Sequence, residues 1–207
     1  MSRDGDASAE DSPLFRGESF DDGDLHGQTF ERATFERCTF FDAGLEDVLT
    51  SAAQFLDCDF TGCDLSGSVH RSSAFLACRF ARTNLRGTSF EGCKLTGSVF
   101  ADTRLSWIRV EGGDWSYVSF GGASLAGLDL SDVRLTAANL VGCDLSRAVL
   151  RDADLRDARL TDVVLREADL RGARIEGLDP RVIDLRGARV DAAQALQLAA
   201  ALGVVVG

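Results

Sequence analysis

A strict five-residue period governs this chain. One series takes every fifth residue from Phe15 to Val190, and 33 of its 36 members are large and apolar, Thr50, His70 and Pro180 being the exceptions. Twelve of the thirteen phenylalanines lie in it, and only Phe41 does not. A second series sits two residues earlier, as in Ala33, Cys38, Ala43, Ala53 and Cys58. It is mostly small and holds all six cysteines, the others being Cys63, Cys78, Cys93 and Cys143. Between residues 19 and 179 neither series contains a charged side chain. Burying an unpaired charge is expensive, so two positions in five point inward and three outward. A helix needs a period of 3.6 and a half-buried strand a period of 2. Five suits neither, but it suits a coil that turns a corner every five residues. One coil cannot bury its own faces, so coils must stack, at the parallel-sheet spacing of about 4.8 Å.

Segments such as Ala138-Asn139-Leu140, Cys143-Asp144-Leu145, Ala153-Asp154-Leu155 and Ala168-Asp169-Leu170 carry the A(D/N)L pattern of the pentapeptide-repeat family, which the chain resembles over about residues 15–190. The resemblance implies an all-β fold, a right-handed quadrilateral parallel β-helix with four pentapeptides per coil and a short C-terminal helical cap. Residues twenty apart then stack. Cys38, Cys58 and Cys78 form one internal column of small buried fillers, and Thr50 and His70 form a satisfied interior pair. No residue is inserted between Phe15 and Val190, so the long loops of the plasmid-borne quinolone-resistance members are not expected. The stretches from Ser68 to Phe75, Thr96 to Phe100 and Gly187 to Ala195 resemble the mycobacterial fluoroquinolone-resistance members. Those lack loops, dimerise through a C-terminal module and bind DNA gyrase.

Three segments are expected: a disordered acidic tail over 1–13, the β-helix over 14–178, and a helical capping and dimerisation module over 179–207. Asp179-Pro180 interrupts the pattern and suits the start of a short helical turn. Asp191 then precedes a run of strong helix formers that ends before Gly203, a good N-cap and C-cap pair. That helix is apolar nearly all round, with Gln194 and Gln197 its polar residues, and must be covered on more than one side. Leu196, Leu198, Ala199, Leu202, Val204 and Val206 are the expected homodimer interface. No apolar run is long enough to span a membrane, and the polar start is unlike a signal peptide, which points to the cytoplasm.

The chain carries a formal net charge of −11, unevenly spread. Residues 15–60 hold 11 acidic and 3 basic residues, whereas 61–109 hold 3 acidic and 7 basic. Direct nucleic-acid binding is therefore not expected. Asp21, Asp22, Asp24, Asp42, Glu46, Asp47, Asp59 and Asp64 fall on two adjacent faces of the first three coils and are the candidate partner-binding residues. Duplex DNA presents a negative charge about every 1.7 Å of axis. A rigid acidic rod competes with it for a basic protein saddle, and with the family resemblance this suggests a DNA mimic that binds gyrase, modulates it and protects it from quinolone-type inhibitors. The alternative is a scaffolding solenoid for other protein partners. Trp107 and Tyr117 fall in outward positions and are candidate contacts. With two histidines, no CxxC spacing and no phosphate-binding loop, no catalytic, metal or cofactor site is expected, and the chain does not read as an enzyme.

Overall fold

The computed structural model describes residues 12–205; the amino-terminal part of the expected tail, residues 1–11, and Val206 of the expected interface lie outside them. The chain is the expected right-handed quadrilateral β-helix. Pairing steps by twenty residues along the whole rod, from Leu14↔Thr34 to Asp169↔Arg189. Four faces result, each with one large interior column. Face I is centred on Phe15, Phe35, Phe55 and Phe75; face II on Phe20, Phe40, Phe60, Phe80, Phe100 and Phe120; face III on leucines from Leu25; face IV on Phe30, Thr50, His70 and Phe90. Three-residue parallel strands such as Thr34–Glu36 on face I and Val69–Arg71 on face IV occur up to Arg109–Glu111. Beyond them the faces are joined by single bridges. Roughly nine coils at about 4.8 Å make a rod of about 40 Å.

Stacked rings fill the first half of the core. Phe35 and Phe55 lie 4.8 Å apart at 4°, Phe55 and Phe75 4.7 Å at 4°, and Phe80 and Phe100 4.7 Å at 5°. Neighbouring columns meet edge to face, as in Phe35 and Phe40 at 63°. The rotation from face to face thus supplies both favoured aromatic geometries. The small series has a polar duty that the sequence reading did not foresee. Its hydroxyls and thiols donate to the carbonyl 23 residues earlier: Thr88 to Leu65 O at 2.8 Å, Ser98 to Phe75 O at 2.8 Å and Cys58 to Phe35 O at 3.3 Å. All six cysteines are free and buried. Burial pushes Cys63 up to about 12 and Cys93 to about 11, so both remain thiols at neutral pH.

Every residue at the corner two positions after a large interior one, from Gly17 to Gly177, has a left-handed backbone. Glycine, aspartate and arginine are common there, but Trp107 (φ 61°) and Tyr117 (φ 59°) also occupy it.

In mid-rod the ladder opens over two faces. Face II still pairs at Val99↔Ser119 and face I at Asp114↔Arg134. Between them, over faces III and IV, the hydrogen bonds that the register would place from Leu105 to Ser124, Trp107 to Ala126, Val110 to Asp129 and Ser124 to Thr103 are not made. The opening is a cleft of about 640 Å³. Its cause lies in the small series, where Ile108 stacks on Leu128 at positions that the coils on either side give to Thr88 and Ala148. Two bulky side chains in successive coils wedge the coils apart. Paired left-handed glycines, Gly112-Gly113 and Gly121-Gly122, stand where the ladder stops and resumes. A Cβ on Gly113 would sit 2.3 Å from Cys93 O, so only glycine fits there. Trp115, fully buried beside the seam, has no partner for its indole N–H in the structure.

At the far end, Asp179-Pro180 forms a turn, with Val182 N–H donating to Asp179 O at 3.2 Å, where a short helical turn was expected. Pro180 has no N–H to carry a ladder onward. The coil then resumes, and Asp184 pairs with Val164. The helix Ala192–Ala201 closes the end, with Asp191 and Gln194 forming a reciprocal capping box. Gln194 is also its most buried side chain, and its Nε2 donates to Leu170 O at 2.6 Å and Ala173 O at 2.7 Å. The polar residue pins the cap because the last coil ends in carbonyls that need donors. Among the described residues no helix is long and apolar enough to cross a membrane.

Thr50 and His70 form the expected satisfied pair. The Ser68 hydroxyl is spent on Leu65 O at 2.6 Å, so His70 Nε2–H donates to Ser68 Oγ at 3.1 Å and Nδ1 accepts from Thr50 Oγ1 at 2.9 Å. Burial lowers His70 to about 3. The unfolded chain takes up this proton near pH 6.5 and the folded one not until about 3. Stability therefore falls through that window by about 1.4 kcal/mol per pH unit. His70→Phe leaves Thr50 bonded to Ser73 at 2.9 Å and keeps a ring stacked on Phe90. It is expected to remove this slope in urea unfolding between pH 6.5 and 4, with little change at pH 7; an unchanged slope would show that other groups carry it. At the seam, amide exchange at Leu105, Trp107, Val110 and Asp129 is expected to be orders of magnitude faster than at Leu85 and Leu145. Replacing the wedge with the residues of neighbouring coils, Ile108→Thr and Leu128→Ala, should restore protection.

Candidate functional site

The eight acidic residues singled out from the sequence converge on one long edge of the rod. Asp59 stands on face II. Asp21, Asp22 and Asp42 lie at the corner between faces II and III, Asp24, Glu46 and Asp64 on face III, and Asp47 at the next corner. The twenty-residue register brings them together: Asp22 stacks on Asp42, and the Asp24↔Gly44 and Gly44↔Asp64 pairs align a column. Gly44 leaves a gap there that the Glu46 side chain covers, since a Cβ on Gly44 would lie 2.9 Å from Glu46 Oε2. Asp42 and Asp47 likewise lean over Gly62 and Gly67, where a Cβ would stand 1.8 Å and 2.4 Å from their Oδ1 atoms. Small residues in one coil make room for the carboxylates of the last.

Local hydrogen bonds hold several of these carboxylates in place. Asp21 accepts from Phe41 N–H at 2.8 Å, Asp24 from His26 N–H at 3.1 Å, and Asp64 from Ser66 N–H at 2.8 Å and Asn84 Nδ2 at 3.0 Å. Burial pushes Asp64 upward, but the bonds from Ser66 and Asn84 outweigh it and hold the carboxyl below its usual range. At Asp21 a slight desolvation is outweighed in the same way by Ser19 and Phe41. Among the described residues none of the eight has a cationic side chain within ion-pair distance.

The carboxyl-terminal half treats its charge differently, and sequence reading missed this. Asp154 is forked by Arg156 at 2.6 Å, Asp179 by Arg181 at 2.8 Å, Asp169 by Arg151 at 2.8 Å and Arg171 at 2.6 Å, and Asp184 by Arg166 and Arg186, both at 2.6 Å. The signal was present as Asp-Leu-Arg at 154–156, 169–171 and 184–186, which sets carboxylate and guanidinium side by side on one face, on either side of the interior leucine. Arg156 holds Asp154 down at about 2. In the basic middle, Arg71 pairs with Glu91 at 2.8 Å and Arg86 lies over Trp107, its guanidinium carbon 4.4 Å from the ring centre. Eight carboxylates without an ion pair thus line one edge of the first coils.

The residues expected at a dimer interface are placed as follows. Leu198 packs against the core, with Ala199 half-buried beside it. Leu196, Leu202 and Val204 are exposed, as is Val205 at 93%.

Comparison with known proteins agrees with the fold. A family model described as a pentapeptide repeat region matches residues 53–130, and one described as pentapeptide repeats (8 copies) matches 116–152, 129–166 and 148–179. Together they span more than half of the chain. No curated protein matches it in sequence. Among solved structures, a trypsin-treated form of QnrB1, a plasmid-mediated fluoroquinolone resistance protein, superposes with a TM-score of 0.84 at 24% identity, covering 95% of this chain and 98% of the other. A second trypsin-treated form gives 0.76 at 23% identity with the same coverage. Full-length QnrB1 gives 0.53 at 20% identity, covering 92% of this chain and 100% of the other. At these identities the likeness is one of fold. The narrower resemblance to the mycobacterial members rests on the sequence segments alone.

Because none of the carboxylates on the acidic edge has an ion pair among the described residues, neutralising three of them should cost the fold nothing. The variant Asp42→Asn, Glu46→Gln and Asp47→Asn keeps residues that tolerate the left-handed corners at 42 and 47. Its thermal midpoint is expected to equal or exceed that of the parent at low salt, and a drop of several degrees would mean that these carboxylates hold the coils together.

Proposed function

The chain belongs to the pentapeptide-repeat family, and from that premise we propose that it is a DNA-mimicking protein that binds DNA gyrase through its acidic edge. In this role it modulates the enzyme and protects it from quinolone-type inhibitors. The observation that carries the reading is the row of eight carboxylates without ion pairs along one edge of the rod. A protein surface shaped to grip duplex DNA presents cations at intervals suited to a rigid line of negative charge. A solenoid keeps such a line fixed, because each coil is hydrogen-bonded to the next. The fold likeness to a fluoroquinolone resistance protein points the same way. The protein acts by binding, without catalysis, and works in the cytoplasm, where its target is. A homodimer joined through the exposed Leu196, Leu202, Val204 and Val205 would double the length of the rod.

A second reading, a scaffold for some other protein, is favoured by the cationic middle segment, which interrupts the acidic line. The two separate in a supercoiling assay with purified gyrase, with and without a fluoroquinolone, at two salt concentrations. DNA mimicry predicts inhibition that weakens as salt rises, and fewer drug-stabilised cleavage complexes. The Asp42→Asn, Glu46→Gln, Asp47→Asn variant should lose about tenfold in potency, given roughly 0.5 kcal/mol for each charge neutralised at an exposed contact. No effect of the parent at micromolar concentration would favour the scaffold. Sedimentation tests the dimer separately, with Leu202→Asp expected to give monomers.

A further inference from the structure

Trp107 is an expense that the fold does not recover. Its backbone lies in the left-handed region at φ 61°, where a bulky side chain is disfavoured. The same corner one and two coils earlier carries Gly87 and Gly67, and one coil later Gly127, residues for which this conformation is unstrained. The side chain gains no burial in return, being 70% exposed. Its own amide lies on the lip of the seam and does not bond Ala126 O. Nothing within the chain accounts for a tryptophan here except one contact: the Arg86 guanidinium rests on the ring at 4.4 Å and fixes its orientation.

The surroundings say what such a ring is for. Gly67 and Gly87 form a floor without side chains that runs from Asp47 to Trp107, and the cavity above it, about 600 Å³, is lined by Glu46, Asp47, Asn84, Arg86 and the indole. An aromatic face at one end and two unpaired carboxylates at the other match a cationic side chain of an extended protein loop. Its charge would lie toward Glu46 and Asp47 and its flat or aliphatic part against the ring. We propose that Trp107 is the aromatic anchor of the partner surface, and that the groove from Asp47 to Trp107 takes an arginine- or lysine-bearing loop of the protein partner. The proposal rests on the partner reading above and extends it past the carboxylates into the cationic middle. Arg86 keeps its charge and, by holding the ring through its cation–π contact, serves as a positioning residue.

Two substitutions and two probes test it. With gyrase as the probe, Trp107→Gly should weaken binding about tenfold while leaving the thermal midpoint unchanged or higher, since glycine suits this corner. Trp107→Phe should keep most of the affinity. Weaker binding together with greater stability is an outcome that a merely structural tryptophan would not give. Binding of Trp107→Gly within twofold of a parent that does bind gyrase would overturn the anchor and leave the acidic edge intact. If the parent does not bind gyrase, the partner reading fails, and an arginine-rich peptide serves as the second probe. Trp115 is fully buried, so acrylamide quenching of the tryptophan emission reports Trp107. Protection on adding the peptide, lost in the Asp42→Asn, Glu46→Gln, Asp47→Asn variant, supports the groove, and unchanged quenching overturns it.

Discussion

The ladder between coils is the interaction on which the rest depends. Backbone N–H groups on the faces find carbonyls on the coil before or the coil after, and this holds only while successive coils stay at parallel-sheet spacing. The spacing dictates the interior. Rings stack flat because identical residues recur every twenty positions, and the small series must stay small because a neighbouring coil passes directly above it. The polar members of that series belong to the same accounting: Thr88, Ser98 and Cys58 occupy little space and also satisfy carbonyls that the corners leave over. A column of alanines would fit, but would leave those carbonyls with fewer donors.

The mid-rod opening shows how narrow the tolerance is. Ile108 on Leu128 adds a few methyl groups to positions built for Thr88 and Ala148, and two faces of the rod part while the other two remain paired. The cost falls on unpaired backbone groups, and paired glycines at both ends absorb the divergence. The seam also divides two regimes: ring stacks and a free acidic edge before it, and leucine columns with forked Asp–Arg pairs after it. A rod whose halves differ in surface chemistry offers a partner a polarity that a uniform solenoid lacks.

Surface charge acquires meaning only through this geometry. A net charge of −11 is unremarkable by itself. The carboxylates at 154, 169, 179 and 184 are matched by arginines two residues on and have little left to offer a partner. Those at 42, 46 and 47 are not matched, and the glycines beneath them leave room for the side chains. The difference lies in whether an arginine shares the face, two residues on in sequence.

The five-residue period by itself determined a stacked coil that turns a corner every five residues, because the inward and outward positions repeat without a slip from Phe15 to Val190. The family resemblance added four pentapeptides per coil, and the interior columns, the Thr50–His70 pair and the stacking of the acidic residues then follow from counting in twenties. Tertiary structure alone decided where the ladder opens, since Ile108 and Leu128 are each ordinary apolar residues and conflict only when stacked. It decided that Gln194, polar in a nearly apolar helix, is the residue most buried, because the last coil ends in carbonyls the sequence does not display. It also decided that Trp107 stands in solvent with Arg86 upon it. Periodicity says which way a side chain points; which neighbours it meets, and whether they can share the space, depends on the distance between coils.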